Sequence, residues 1–256
     1  MNKFPVFLLL LVLGWFSCNP DKKRINEKVI SAEQDSVQQV EAVSPVTFFQ
    51  LEDSAAFPDA ILELYTPLGN QVFRPGKVPF EFNVKNFPIY EAEIRTPRLF
   101  NIINGGDPVG HLSPIFQKEL AEGTYRVVGY LVDEQGLALK SFGNYVDRDF
   151  LVGESRPFPY SAEPYLALNL PRNAQNVPLG EELIIDFLVL GGDMKLDGLI
   201  VQVQINDWTY EIDHMAPILV ENLPIGDYQV KVKLLRKEGK ELEGPFSFVT
   251  KSVFVR

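Results

Sequence analysis

The sequence predicts an all-β protein built from two similar β-sandwich domains. Phe and Tyr are abundant, with 19 and 9 residues against 3 Met, and aromatic side chains favour the pleated surface of a sheet. Apolar residues alternate with polar ones over short segments, as at Phe80, Phe82 and Val84, which is the period of a strand with one buried face. The third observation is an internal repeat.

The repeat joins motifs that lie about one hundred residues apart, in the same order in each copy. His111-Leu-Ser-Pro-Ile115 recurs as His214-Met-Ala-Pro-Ile218, and the segment that starts at Leu120 recurs from Leu223. Pro67 to Gly76 likewise matches Pro171 to Gly180. An ordered series of this kind predicts two copies of one domain, residues 58–153 and residues 163–256.

Each copy is expected to hold about seven short strands and no helix. Turn residues separate the strands, for example at Asn104-Gly-Gly106 and Lys237-Glu-Gly239. In the second copy we expect a hairpin over Val201–Ile212 that turns at Asn206-Asp207. The size and rhythm of each copy are those of an immunoglobulin-like sandwich of ~100 residues.

One motif of the repeat carries a family resemblance. Leu-x-x-Gly-x-Tyr-x-Val occurs in both copies and resembles the turn into strand F of fibronectin type III and related bacterial immunoglobulin-like domains. The Leu-to-Tyr spacing is one residue shorter than in fibronectin type III, so the resemblance is to the wider immunoglobulin-like class. It implies a tyrosine corner, in which the Tyr hydroxyl bonds back to the backbone. The residues concerned are Leu120, Gly123 and Tyr125, then Leu223, Gly226 and Tyr228.

The N-terminus has the pattern of an export signal. Lys3 precedes an apolar run from Phe4 to Phe16, which is too short to span a bilayer stably. The chain's only cysteine, Cys18, follows directly. This arrangement resembles a bacterial lipoprotein signal of the looser, Bacteroidota-like kind, which implies cleavage after residue 17, lipid on Cys18 and a membrane as partner. The alternative is an ordinary signal peptide with an incidental cysteine.

The resemblance also implies a location in the cell envelope. Asn19 after the cysteine favours the outer membrane if the usual sorting preference applies, and the periplasmic or surface face is left open. Residues 18–57 are predicted to be the lipidated cysteine and a flexible tether with a reach of roughly 35 Å. A loose helix over Ile25–Val43 and a coiled coil are the alternatives.

Residues 154–162 are predicted to be a linker between the domains. Prolines at 157, 159 and 164 stiffen this joint, so we expect the two sandwiches to hold a preferred mutual angle.

Composition excludes some classes of function. The formal charge of −10 argues against a nucleic-acid partner, because phosphate binding needs clustered Lys and Arg. A single cysteine permits no intramolecular disulfide.

The sequence contains no convincing catalytic or metal-binding group, and we expect no cofactor. The two histidines, His111 and His214, lie in separate copies, whereas zinc needs its ligands together; each is expected to bond to the local backbone. There is no Gly-x-Ser-x-Gly elbow. Calcium at the domain joint is left open, with Asp147, Asp149, Asp193 and Asp197 as the carboxylates concerned.

Trp208 and Tyr210 are the candidate ligand contacts, because both would lie on one face of the predicted hairpin. They could stack on sugar rings, or they could pack in the core or at a sheet edge. The sequence as a whole therefore predicts a non-enzymatic binding or scaffolding lipoprotein of the cell envelope, engaging a protein partner through its tandem domains. The alternative is a surface lipoprotein that binds glycan through Trp208 and Tyr210.

Overall fold

The computed structural model describes residues 25–26, 45–52, 57–89 and 96–256. These residues form strands and turns, and no helix occurs among them. The all-β fold class predicted from the sequence is thus confirmed. The predicted signal peptide, Cys18 and most of the predicted tether lie outside the described residues.

Domain 1 is a sandwich of two sheets, formed by strands within residues 61–152. One sheet has the order β3-β5-β8 and the other the order β4-β10-β9-β6-β7. Phe80, Phe82 and Phe150 lie in the core between the sheets, where the alternating apolar residues of both sheets meet. The strands are β3 (Ile61–Thr66), β4 (Val72–Phe73), β5 (Gly76–Lys85), β6 (Leu99–Ile103), β7 (Val109–His111), β8 (Ile115–Leu120), β9 (Gly123–Leu131) and β10 (Tyr145–Val152).

Domain 2 repeats this arrangement with strands within residues 165–255. The sheet β11-β13-β16 faces the sheet β12-β18-β17-β14-β15. The predicted hairpin is present, with Asn206 in the left-handed region at its turn. The strands are β11 (Tyr165–Leu170), β12 (Gln175–Val177), β13 (Leu183–Leu190), β14 (Leu199–Ile205), β15 (Trp208–Ile212), β16 (Ile218–Glu221), β17 (Gly226–Arg236) and β18 (Phe248–Val255).

Irregular features recur in the two domains as well. A bulge interrupts β3 between Leu64 and Thr66, and another interrupts β11 between Leu168 and Leu170. A cis proline follows each bulge, at Pro67 and at Pro171. The short strands β4 and β12 each pair in parallel with the last strand of their domain. The bulges and the short parallel strands thus lie at corresponding places in the two domains.

The N-terminal segment adds two strands to the sheet of domain 2. Strand β2 (Thr47–Gln50) pairs antiparallel with β16, and β1 (Ile25–Asn26) pairs with β2. The prediction of a flexible tether through residue 57 is therefore wrong for residues 25–26 and 47–50. The physical reason is burial, because Phe48 is only 1% exposed in the core of domain 2.

The domains pack face to face. The outer face of the β6 and β9 sheet of domain 1 meets the outer face of β11 and β13 of domain 2 in a third apolar cluster. The molecule is thus a stack of four sheets, with one core inside each domain and one between them. The two domains are thus in sheet-on-sheet contact, and the contribution of the linker prolines to their mutual angle stays a prediction. The cluster includes Phe100, Ile102, Val128, Tyr130, Tyr165, Ala167, Leu188 and Leu190.

Candidate functional site

A buried ion pair lies at the domain interface. Lys140 of domain 1 forms a short ion pair with Asp186 of β13, and both side chains are almost fully buried. Lys140 Nζ also donates to the Phe187 carbonyl at 2.6 Å. Asp186 accepts from the Ala138 backbone N–H at 2.7 Å. Both charges therefore have the additional bonds that a buried pair needs.

Polar contacts surround this pair across the same interface. The Tyr130 hydroxyl donates to Asn169 Oδ1 at 2.8 Å, and Asn169 donates to the Gly136 carbonyl at 2.8 Å. Burial raises the pKa of the Tyr130 hydroxyl well above its usual value. At the rim, Lys251 forms an ion pair with Asp107 at 2.6 Å. These bonds connect the two domains at specific positions along their interface.

Arg126 closes another side of the interface. Its guanidinium lies 4.4 Å from the ring centroid of Tyr165, close enough for a cation–π contact. It also forms two bonds to the Asp149 carboxylate, at 2.6 and 2.7 Å. The bonds to Asp149 raise the pKa of Arg126. Asp149, one of the carboxylates considered for calcium, is therefore already paired with a cation.

Strand β2 occupies the edge of domain 2 beside β16. Phe48 lies opposite Val220 in the register, and its ring stacks on Tyr210 with centroids 5.4 Å apart. The Gln50 amide donates to Nε2 of His214, and the opposite ring nitrogen faces Asp213 Oδ1 at 3.1 Å. The strand is thus fixed both by core burial and by a polar contact.

The structure places both candidate ligand contacts against the core of domain 2. Trp208 is partly buried against the core, and its ring centroid lies 6.2 Å from that of Tyr228. Tyr210 is 9% exposed and has Phe48 against one ring face. The expectation that both rings could form a sugar-binding platform is therefore wrong for Tyr210, because strand β2 fills the space that a sugar would need.

Both tyrosine-corner motifs have the bond that the resemblance implies. The Tyr125 hydroxyl donates to the Ala121 carbonyl at 2.9 Å, and the Tyr228 hydroxyl donates to the Pro224 carbonyl at 2.7 Å. Tyr228 is buried, whereas Tyr125 is half-buried. Leu120 and Leu223 lie in the cores of their domains, and Gly123 and Gly226 leave room beside the tyrosine rings.

The histidines do not bond to the local backbone as expected. The His111 ring stacks on Phe116 with centroids 3.5 Å apart and lies 2.7 Å from Asn101 Oδ1. Burial, with a smaller contribution from Lys118, lowers the pKa of His111 to about 4. His214 contacts Gln50 of β2. The two positions are equivalent in sequence but contact different partners.

Two further carboxylates considered for calcium, Asp193 and Asp197, have local bonds. Asp193 Oδ1 accepts from the backbone of Lys195 and Leu196, and Asp197 Oδ2 accepts from the Asp193 N–H at 2.8 Å. The part of the chain that the structure describes holds no group of three or more His, Cys, Asp or Glu placed to bind a metal ion. In the same residues, no helix is long and apolar enough to cross a membrane.

Sequence reasoning missed Lys140, Asp186 and the domain interface. A signal for them was present in β13, where Leu183-Ile-Ile-Asp-Phe-Leu-Val-Leu190 is apolar on both faces. A strand of this kind is buried on both sides. A single Asp inside such a run indicates a buried charge that needs a cationic partner.

Comparisons with known proteins do not assign the chain to a family, because no family model and no curated protein matches it. Among solved structures, the fibronectin(III)-like modules of Clostridium thermocellum CbhA share 13% identity over 77% of this chain and 94% of theirs, with a TM-score of 0.27. Three N-terminal domains of the bacteriophage RB49 highly immunogenic outer capsid protein share 12% identity over 77% of this chain and 69% of theirs, with a TM-score of 0.23. At this identity and TM-score, neither protein's role is carried over to this chain.

Proposed function

We propose that this chain is a non-enzymatic binding or scaffolding protein of the cell envelope, anchored through lipid on Cys18. One observation supports this role above the others: the two sandwiches pack into a single unit through a buried interface. A unit of this kind holds its exposed edges and loops at fixed distances, which is what a protein that positions a partner requires.

The anchor is supported by the sequence alone. A lone cysteine follows the apolar run directly, and two or three acyl chains would hold the protein stably at a membrane. The first folded domain that the chain contacts after Cys18 is domain 2, because β2 pairs with β16 before domain 1 begins. The outer membrane is the proposed location.

Crosslinking in envelope membranes tests the binding role. The full chain is crosslinked in intact cells and purified under denaturing conditions. We expect a reproducible protein partner, and we expect Cys18→Ser to reduce its recovery by removing the anchor. If no protein is recovered while a glycan array gives hits that depend on Trp208, the scaffolding role is wrong.

A further inference from the structure

The internal repeat allows the two outer sheet edges to be compared. In domain 2 the edge of β16 is covered by β2. The equivalent strand of domain 1 is β8, which pairs with β5 on one side. No described strand lies on its other side. We call this open side the β8 edge and define it as the backbone of Gln117 and Glu119 together with the side chain of Lys118.

The strand register relates β8 and β16 with a shift of one residue from the repeat motif, so that Phe116 and not Ile115 takes the position of Ile218. Phe80 lies opposite Phe116 in domain 1, and Ile185 lies opposite Ile218 in domain 2. The Phe82 N–H donates to the Pro114 carbonyl at 2.9 Å. Since bonded pairs alternate along an antiparallel ladder, the backbone groups of Gln117 and Glu119 point away from β5.

The same alternation of hydrogen-bonded pairs occurs at the edge of domain 2, where β2 pairs with β16. The Leu51 N–H donates to the Pro217 carbonyl at 2.8 Å, so the backbone of Leu219 faces Phe49 of β2. Gln117 holds the place of Leu219 in domain 1. Ile115, further along the strand, already bonds to the Ser113 hydroxyl through both its N–H and its carbonyl. Two residues of β8 therefore offer main-chain groups to an added strand.

One inward position differs between the two edges. Val220 lies opposite Leu183 and is covered by Phe48. In domain 1 the residue opposite the buried Val78 is Lys118. Lys118 forms no ion pair with any described residue. The alternation along β8 places its side chain on the core face of the sheet, between Phe116 and Leu120. An ammonium group here disfavours an apolar residue such as Phe48 on an incoming strand, because the charge would lose water without a partner.

We propose that the β8 edge binds an extended segment of a partner protein that carries a carboxylate at the position facing Lys118. Main-chain bonds to Gln117 and Glu119 provide affinity, as in other cases of strand addition. The carboxylate neutralises Lys118, which selects acidic segments and rejects copies of β2. The exposed side chains of Ile115 and Leu112 offer apolar contact beside the strand. The inference rests on the proposed binding function and names the class of partner.

Synthetic peptides test this proposal on the purified full chain. The probe is the octapeptide of residues 45–52 with the change Phe48→Glu, and the matched controls are the unchanged octapeptide and the peptide with Phe48→Lys. We expect the Glu peptide to shift the amide resonances of Gln117 and Glu119 and to bind at least about tenfold more tightly than either control, since tenfold corresponds to ~1.4 kcal/mol.

Two protein variants make the test specific. Lys118→Glu is expected to reverse the preference, so that the Lys peptide binds more tightly than the Glu peptide. Gln117→Pro removes an outward N–H, a change that an edge strand tolerates. It is expected to lower the affinity for the Glu peptide at least about tenfold. The remaining amide resonances of each variant show that the domain is folded.

Three outcomes would overturn the proposal: no binding of the Glu peptide, equal binding to wild type and Lys118→Glu, or resonance shifts at β16 instead of β8. Concentration-dependent pairing of two copies through β8 would overturn it as well. The peptide experiment needs no cells, so its failure is distinct from that of the envelope crosslinking. A peptide that binds while no envelope partner is recovered would contradict the envelope role alone.

Discussion

At the scale of single residues, the two tyrosine corners connect the starts of β9 and β17 to the loops that precede them. Each hydroxyl bonds to a carbonyl four residues upstream, at 2.9 Å for Tyr125 and 2.7 Å for Tyr228. The bond replaces water at a carbonyl that the turn would otherwise leave without a partner. The loss of the hydroxyl should therefore affect stability and leave the fold unchanged.

We expect Tyr228→Phe to lower the free energy of unfolding by about 1 kcal/mol, because the Pro224 carbonyl loses the hydrogen bond from the buried tyrosine. Tyr125→Phe should cost less, since its site is half-buried. Urea denaturation measures both. The exposed Tyr160 provides the control Tyr160→Phe, and equal stability of all three variants would contradict the assignment.

Substitution of Lys140 should lower the free energy of unfolding more than substitution of either tyrosine. Lys140→Met leaves the Asp186 charge buried without its cation, and breaking a buried pair in this way costs about 3–5 kcal/mol. Denaturant unfolding of the full chain measures the loss. The double variant Lys140→Met with Asp186→Asn should recover part of it, because no buried charge remains. If the single variant were as stable as wild type, the pair would not be a buried one.

His111 should make stability depend on pH. Burial lowers its pKa to about 4, while the unfolded chain has a value of about 6.5. The unfolded state thus binds more protons between these values, so stability falls as the pH decreases from 6.5 to 4. His111→Gln should reduce the loss of stability over this range relative to wild type, as measured by urea denaturation at pH 7 and pH 4.5. An unchanged pH dependence would contradict a buried neutral His111.

At the scale of elements, strand β2 completes the sheet of domain 2 although it precedes domain 1 in the chain. Phe48→Ala should destabilise the molecule by about 3–5 kcal/mol through the cavity that it leaves against Tyr210. Hydrogen exchange at the Leu219 amide should increase, since β2 covers that edge. Phe49→Ala is the matched control, because Phe49 is only partly buried; a larger effect there would contradict the register.

The strands of each domain could be predicted from sequence because their signals are local. Alternation predicted β5 and the β14–β15 hairpin, and the repeat predicted that the same strand arrangement occurs twice. The position of β2 could not be predicted, since Phe48 and Val220 are far apart in the chain and Thr-Phe-Phe-Gln is too short for periodicity. The interpretation of Tyr210 as a ligand contact failed for the same reason, because the ring that covers it comes from β2.

At the scale of the whole molecule, the two domains should behave as one cooperative unit. Their contact is a core in its own right, built from outward-facing residues of two sheets and joined by a buried ion pair. Domain contacts within a chain are usually more polar and allow relative motion. A large apolar interface that buries Tyr130 and Leu188 opposes such motion.

We expect calorimetry of the wild-type chain to show one unfolding transition that includes both domains. Leu188→Asp places an unpaired charge in the interface, where burial without a partner is costly. The variant should separate the domains while each keeps its own core, so that unfolding splits into two transitions and the radius of gyration from X-ray scattering increases. Val109→Asp is the control, because Val109 is exposed on domain 1 away from the interface cluster. Two transitions in the wild-type chain, or an unchanged radius of gyration in Leu188→Asp, would mean that the linker and not the interface holds the domains together.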